Sequence, residues 1–136
     1  MPIQPEKLRK SFAVISYKSD ELSQVFYDLL FTRHPELRPL FGHTRMEEQK
    51  KKFIRSLVVA LRHLDQPDFL TDYLEGLGKM HRAFGAKPEH YPILGECLLD
   101  ALEKTSGDFW KPELREAWRE ALEHLSETMQ KGAGLD

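Results

Sequence analysis

Three polar residues stand where the apolar pattern of this chain expects hydrophobes: His81, Gln49 and Tyr27. His81 falls on a helical stripe with Leu70, Leu74, Leu77 and Phe84, so its imidazole is expected to point inward. A buried imidazole with a hydrogen-bond partner can be an inert core residue. The same group can be an axial ligand to haem iron, with one ring nitrogen on the metal and the other donating to a carbonyl or carboxylate. The carbonyl of Leu77, one turn earlier, is the nearest acceptor expected. Gln49 interrupts the stripe of Met46, Phe53 and Leu57. An unpaired buried amide costs about 1–3 kcal/mol, so Gln49 either meets a partner or lies part-exposed at a helix start. Tyr27, beside Phe26 and close to Phe31, reads as a core ring with its hydroxyl at the surface. Together with Gln49 it could instead form a polar spot opposite His81 in a greasy pocket. A diatomic gas on iron gains negative charge, which a hydroxyl and an amide can stabilise.

The elements that must position these residues are helices. Apolar spacings of three and four run through residues 6–18, 21–33, 46–64 and 69–84, then from Pro88 to Ser106-Gly107 and onward from Pro112. Asp20 is the expected cap of the second segment, and Pro35 the start of a short helical turn. No stretch alternates with period two, so strands are not expected. The reading is all-α, with six or seven helices of unequal length; equal helices and short loops would suit an up-down bundle better.

Composition narrows the function. The 136 residues suit one domain, 1–136, and carry 20 Lys plus Arg against 22 Asp plus Glu, a formal net charge of −2. That balance lacks the basic excess of a nucleic-acid binder. The longest aliphatic run, Leu57 to Leu61, is far short of the roughly 20 residues that span a bilayer. The first residues lack the apolar core of a signal peptide, so a cytoplasmic location is expected. One cysteine, Cys97, leaves no intrachain disulfide and no cysteine cluster for zinc. The other histidines, at 34, 43, 63, 90 and 124, show no zinc spacing, and neither a phosphate loop nor a G-x-S-x-G turn occurs. Lys50 to Lys52 and the glutamates from Glu113 to Glu127 read as solvated faces.

The stretch Phe26-Tyr27-Asp-Leu-Leu-Phe31-Thr-Arg-His34-Pro35-Glu36-Leu-Arg38-Pro39-Leu40-Phe41 resembles bacterial single-domain haemoglobins and the haem domain of flavohaemoglobins. The blocks Tyr73 to Gly85 and Tyr91 to Leu99 continue the resemblance, and the later half is also similar to neuroglobin. The likeness covers nearly the whole chain. It implies a globin fold of six to eight helices around one pocket for haem b (iron protoporphyrin IX), with His81 as the proximal iron ligand. By the same resemblance Phe41 stacks on the haem plane, Phe53 overhangs the iron, and Lys52 reaches a propionate. Leu77, Met80, Tyr91 and Leu94 complete the expected cofactor contacts. Tyr27 and Gln49 match the distal pair facing a gaseous ligand; neuroglobin has histidine where Gln49 stands, whereas flavohaemoglobins have glutamine.

Two departures qualify what the resemblance implies. Flavohaemoglobins carry a late glutamate that polarises the proximal histidine through a set including the residue matching Tyr91; here that position is Ala133, and the companion tyrosine position is Leu122. The flavin and nicotinamide domains of a flavohaemoglobin are not in this sequence, so any turnover is expected to need a separate reductase. The segment between Phe41 and Gln49 is also shorter than in flavohaemoglobins. The expected function is reversible binding of O2, or of NO or CO, for oxygen storage or transport. A glutamine amide is a poor iron ligand, so a sixth position open or water-bound in the ferrous state is expected. Two alternatives remain: nitric oxide dioxygenase activity with a separate reductase, and gas sensing through a partner. A monomer or weak homodimer is expected.

Overall fold

The computed structural model describes residues 3–135. Six α-helices follow one another: α1 (Pro5–Ile15), α2 (Ser19–Arg33), α3 (Met46–Arg62), α4 (Pro67–Ala83), α5 (His90–Ser106) and α6 (Pro112–Ala133). Short 3-10 segments join them at Ser16–Lys18, Pro35–Phe41 and Gly107–Phe109. Prolines open α1, α4, α6 and the Pro35–Phe41 turn, where the missing N–H would have had no helical partner. No strand occurs among the described residues.

Three local expectations are corrected. Asp20 is not the cap of α2: the 3-10 segment runs α1 directly into α2, and Asp20 lies in its first turn, where a carboxylate suits the helix dipole. Pro88 does not open α5; it lies in a turn whose Lys87 N–H donates to His90 Nδ1 at 3.0 Å, and the helix starts at His90. Phe84 leaves the inward stripe and is 66% exposed, because α4 ends at Ala83 and Gly85, with φ +98°, turns the chain away.

The main core is built on Trp118, Leu8, Ile15, Leu22, Leu30 and Leu102, all essentially buried. Burying each such leucine contributes roughly 1.5–3 kcal/mol. The Trp118 indole donates to Ser11 Oγ at 2.9 Å, and the Ser11 hydroxyl donates in turn to the Leu8 carbonyl at 3.0 Å, so both buried donors are satisfied. α2 lies along α5, and α3 along α2. A smaller cluster of Ala60, Leu70 and Leu74, with Leu77, Leu125 and Met129, seats α4 on α6. These two helices meet at glycines. A Cβ on Gly78 would collide with the Met129 carbonyl, and one on Gly132 would stand 2.5 Å from Glu75 Cα. With α6, α4 has its one extensive backbone contact; α3 meets it through Ala60 at Leu70 and Leu74, and α5 through Tyr91 at His81. The His81 end of α4 is therefore separated from the α2–α3–α5 body by a gap in backbone contact, the cleft whose two walls carry the polar residues.

None of the described helices is long and apolar enough to cross a membrane.

Candidate functional site

The α2–α3 wall of the cleft carries the first polar pair. Tyr27 is 4% exposed, and Gln49, half-buried in the first turns of α3, donates from Nε2 to Tyr27 Oη at 3.1 Å. The Tyr27 oxygen thus acts as acceptor, and its own proton is left to donate elsewhere. Burial pushes the Tyr27 pKa up to about 12, against a smaller downward pull from the Gln49 bond, so the hydroxyl keeps that proton at neutral pH.

Aromatic rings fix the tyrosine in place. Phe53 stacks on Phe26 with centroids 4.5 Å apart and planes 9° from parallel. Tyr27 sets its edge against Phe53 at 5.8 Å and Phe41 at 5.9 Å. Phe31 packs on Phe41 at 5.3 Å, and the Arg38 guanidinium covers the outer side of Phe31 at 4.6 Å. Tyr27, Gln49, Phe41 and Phe53 are therefore brought together.

On the α4 wall, His81 is half-buried and its Nδ1 lies 2.7 Å from the Leu77 carbonyl. Nδ1–H donates there, which leaves the Nε2 lone pair for a metal. The acceptor is the one the helical spacing predicts. Tyr91 of α5 packs 6.3 Å from the imidazole, centroid to centroid. Its buried hydroxyl has no hydrogen-bond partner among the described residues, and burial raises its pKa. Leu77 and Leu94 are half-buried, while Met80 is 55% exposed beside Phe84 on the open side of α4. Lys52 is exposed on α3 and makes no ion pair among the described residues. The Pro35–Phe41 segment links the walls: Phe41 touches Tyr27, and Leu40 lies 3.2 Å from where a Cβ of Gly85 would be.

Among the described residues no carboxylate bonds to His81 or Tyr91. Ala133 is buried near the end of α6, and its carbonyl accepts from Arg82 at 2.6 Å. Leu122 lines a groove of about 300 Å³ between α5 and α6, with Tyr91 at one side and Glu123 and Glu127 also in its wall. Among the described residues no three His, Cys, Asp or Glu side chains converge on a metal site. A metal on His81 would take its remaining ligands from a non-protein group, as haem iron does. The residues suit that group: a lone pair on Nε2, apolar Leu77, Met80 and Phe84 at the same end of α4, and aromatic Phe41 and Phe53 on the other wall. Sequence reasoning missed Phe26 as the partner of Phe53, and missed Arg82. Both contacts join residues far apart in the chain.

The globin family's sequence model matches residues 24–129. The flavohemoprotein of Bacillus subtilis is 31% identical over 118 residues, covering 85% of this chain and 30% of that protein. The chain thus spans under a third of the length of such relatives. An engineered carbene transferase, made from a proposed nitric oxide dioxygenase of Rhodothermus marinus, superposes with TM-score 0.83 at 27% identity, covering 98% of this chain and 94% of that one. A hexacoordinated heme protein from an anhydrobiotic tardigrade superposes with TM-score 0.87 at 20% identity, covering 96% and 92%, a likeness of fold.

Proposed function

This chain belongs to the globin family, a family of haem proteins, and we propose that it holds one haem b at His81 and reversibly binds O2 between that haem and the Tyr27–Gln49 pair. The observation that carries this reading is the direction of the Gln49–Tyr27 bond. Because the amide donates to the phenol oxygen at 3.1 Å, the buried hydroxyl is polarised and has its proton available for a ligand acceptor atom. Haem supplies the iron site at which a diatomic gas coordinates. Everything else falls to the chain. His81 presents Nε2 because Leu77 holds Nδ1–H; Leu77, Met80, Tyr91 and Leu94 line the proximal side; Phe41 and Phe53 cover the opposite face. Lys52, which pairs with no carboxylate among the described residues, is available to a propionate. Gln49 is committed to Tyr27 and is a poor metal ligand, which favours a ferrous iron with no second protein ligand. NO and CO fit the same pocket. In this reading residues 1–136 work as one domain, in the cytoplasm, as a monomer or weak homodimer.

Likeness to flavohemoproteins favours one second reading, nitric oxide dioxygenase activity with electrons from a separate reductase. The backbone-anchored His81, without a carboxylate partner, ranks it below gas binding. Sustained nitrate formation from NO with a reductase of the same cell would reverse that ranking.

Absorption spectra of the haem-reconstituted chain, ferric and dithionite-reduced, test the main reading beside a His81→Ala variant. The expected result is a five-coordinate ferrous spectrum that the variant loses or alters. A wild-type chain that takes up no haem, or stays six-coordinate when reduced, contradicts it.

A further inference from the structure

We propose that Arg82 is a positioning residue for His81, clamping the histidine-bearing end of α4 to the end of α6. This deepens the haem-site reading above and rests on it. The backbone contacts around α4 are one-sided. Its single extensive neighbour is α6, and the two meet backbone to backbone where Gly78 faces Met129 and Gly132 faces Glu75. The nearer of these glycine contacts, at Gly78, lies one turn before His81. Beyond it Met80 and Phe84 are 55% and 66% exposed, so little apolar burial holds the last turn.

Arg82 supplies the missing anchor. Its Nη1 donates to the Ala133 carbonyl at 2.6 Å, a charge-assisted bond spanning 51 residues of sequence. Ala133 is the last residue of α6, so its carbonyl has no helical partner, and it is 3% exposed. The cap of α6 leaves room for the bond. Gly134 has φ +73°, Leu135 N–H closes back on the Gln130 carbonyl at 2.9 Å, and a Cβ at 134 would stand 3.3 Å from Arg82 Nη1. The turn so clamped also carries the amides of Phe84 and Ala86, which donate to the His81 carbonyl at 3.1 and 2.9 Å. The imidazole is thus held twice: its ring by Leu77, and its backbone by a turn that Arg82 pins to α6.

The test compares Arg82→Met, Arg82→Lys and Gly134→Ala with the wild-type full chain, by two readouts. In the haem-free protein, hydrogen exchange of the Phe84 and Ala86 amides is expected to quicken at least tenfold, the loss of about one charged hydrogen bond, in Arg82→Met. Arg82→Lys restores most of the protection, Gly134→Ala weakens it in the same direction, and the amides of α2 do not change. In the haem-bound ferrous protein the iron–histidine stretching band shifts in Arg82→Met and returns in Arg82→Lys. Unchanged exchange overturns the clamp, and a band that does not move overturns the positioning role even where exchange quickens. If the wild-type chain takes up no haem, the site reading fails, while the exchange comparison still decides the clamp.

Discussion

On the α2–α3 wall of the cleft, Phe26, Tyr27, Phe41 and Phe53 hold one another ring against ring, and the polar contact of Tyr27 is with another side chain. On the α4 wall, His81 is tied to a main-chain carbonyl, and its helix meets α6 through glycines and a carbonyl-bound arginine. The difference separates tuning from holding. Side chains on the first wall can change ligand behaviour while the fold persists, because neighbouring rings can repack. Backbone contacts on the second wall leave no such latitude.

The sharpest way to break this comparison is Gly78→Val. Its Cβ collides with the Met129 carbonyl, so urea unfolding of the haem-free chain is expected to show a loss of more than about 3 kcal/mol. A near-neutral result would mean that the α4 wall yields as readily as the other. On the α2–α3 wall, Phe53→Leu removes the stack on Phe26 and should cost about 1–2 kcal/mol in the same assay. It is also expected to speed gas association, and unchanged association rates by flash photolysis would remove Phe53 from any role in access. Gln49→Leu takes the donor from Tyr27 while leaving the rings, and O2 release should quicken by roughly three- to tenfold.

The smallest effect concerns the ion pairs that brace α2 against α5 and α6. Partial burial pushes the Asp100 carboxyl up, but bonds from Arg33 at 2.6 Å and from Arg115 at 2.9 Å outweigh it and hold the group below its ordinary pKa. A lowered folded pKa means stabilisation that is full above the unfolded value near 3.9 and is lost as pH falls through the folded one. Urea unfolding of wild type and Asp100→Asn should therefore differ by about 1 kcal/mol or less at pH 6, and the difference should shrink as pH falls below about 4.

What could be read beforehand divides along the same line. Helical period places His81 one turn after Leu77, so its acceptor follows from arithmetic along one helix. The order of the six helices follows equally from apolar spacing and prolines. Tyr27 and Gln49 can be singled out as polar interruptions that would make one polar spot opposite His81, yet apolar spacing cannot give the bond between them, since 22 residues separate them. Phe84 was misplaced because periodicity continues past the point where Gly85 turns the chain. Gly78 and Gly132, like Arg82 and Ala133, meet only once α4 and α6 are packed, and no local pattern in either helix marks the meeting.

The most direct test of the central claim, that Tyr27 keeps a proton available for the ligand, is the O2 dissociation rate of the haem-bound Tyr27→Phe variant by stopped flow. The ring contacts remain and only the hydroxyl goes. Loss of a hydrogen bond to a partly charged acceptor predicts release at least tenfold faster than wild type, and the wild-type rate should be flat from about pH 6 to pH 9 because the Tyr27 pKa is pushed up to about 12. An unchanged rate would contradict the account, leaving the tyrosine as a packing residue beside an O2 molecule it does not touch.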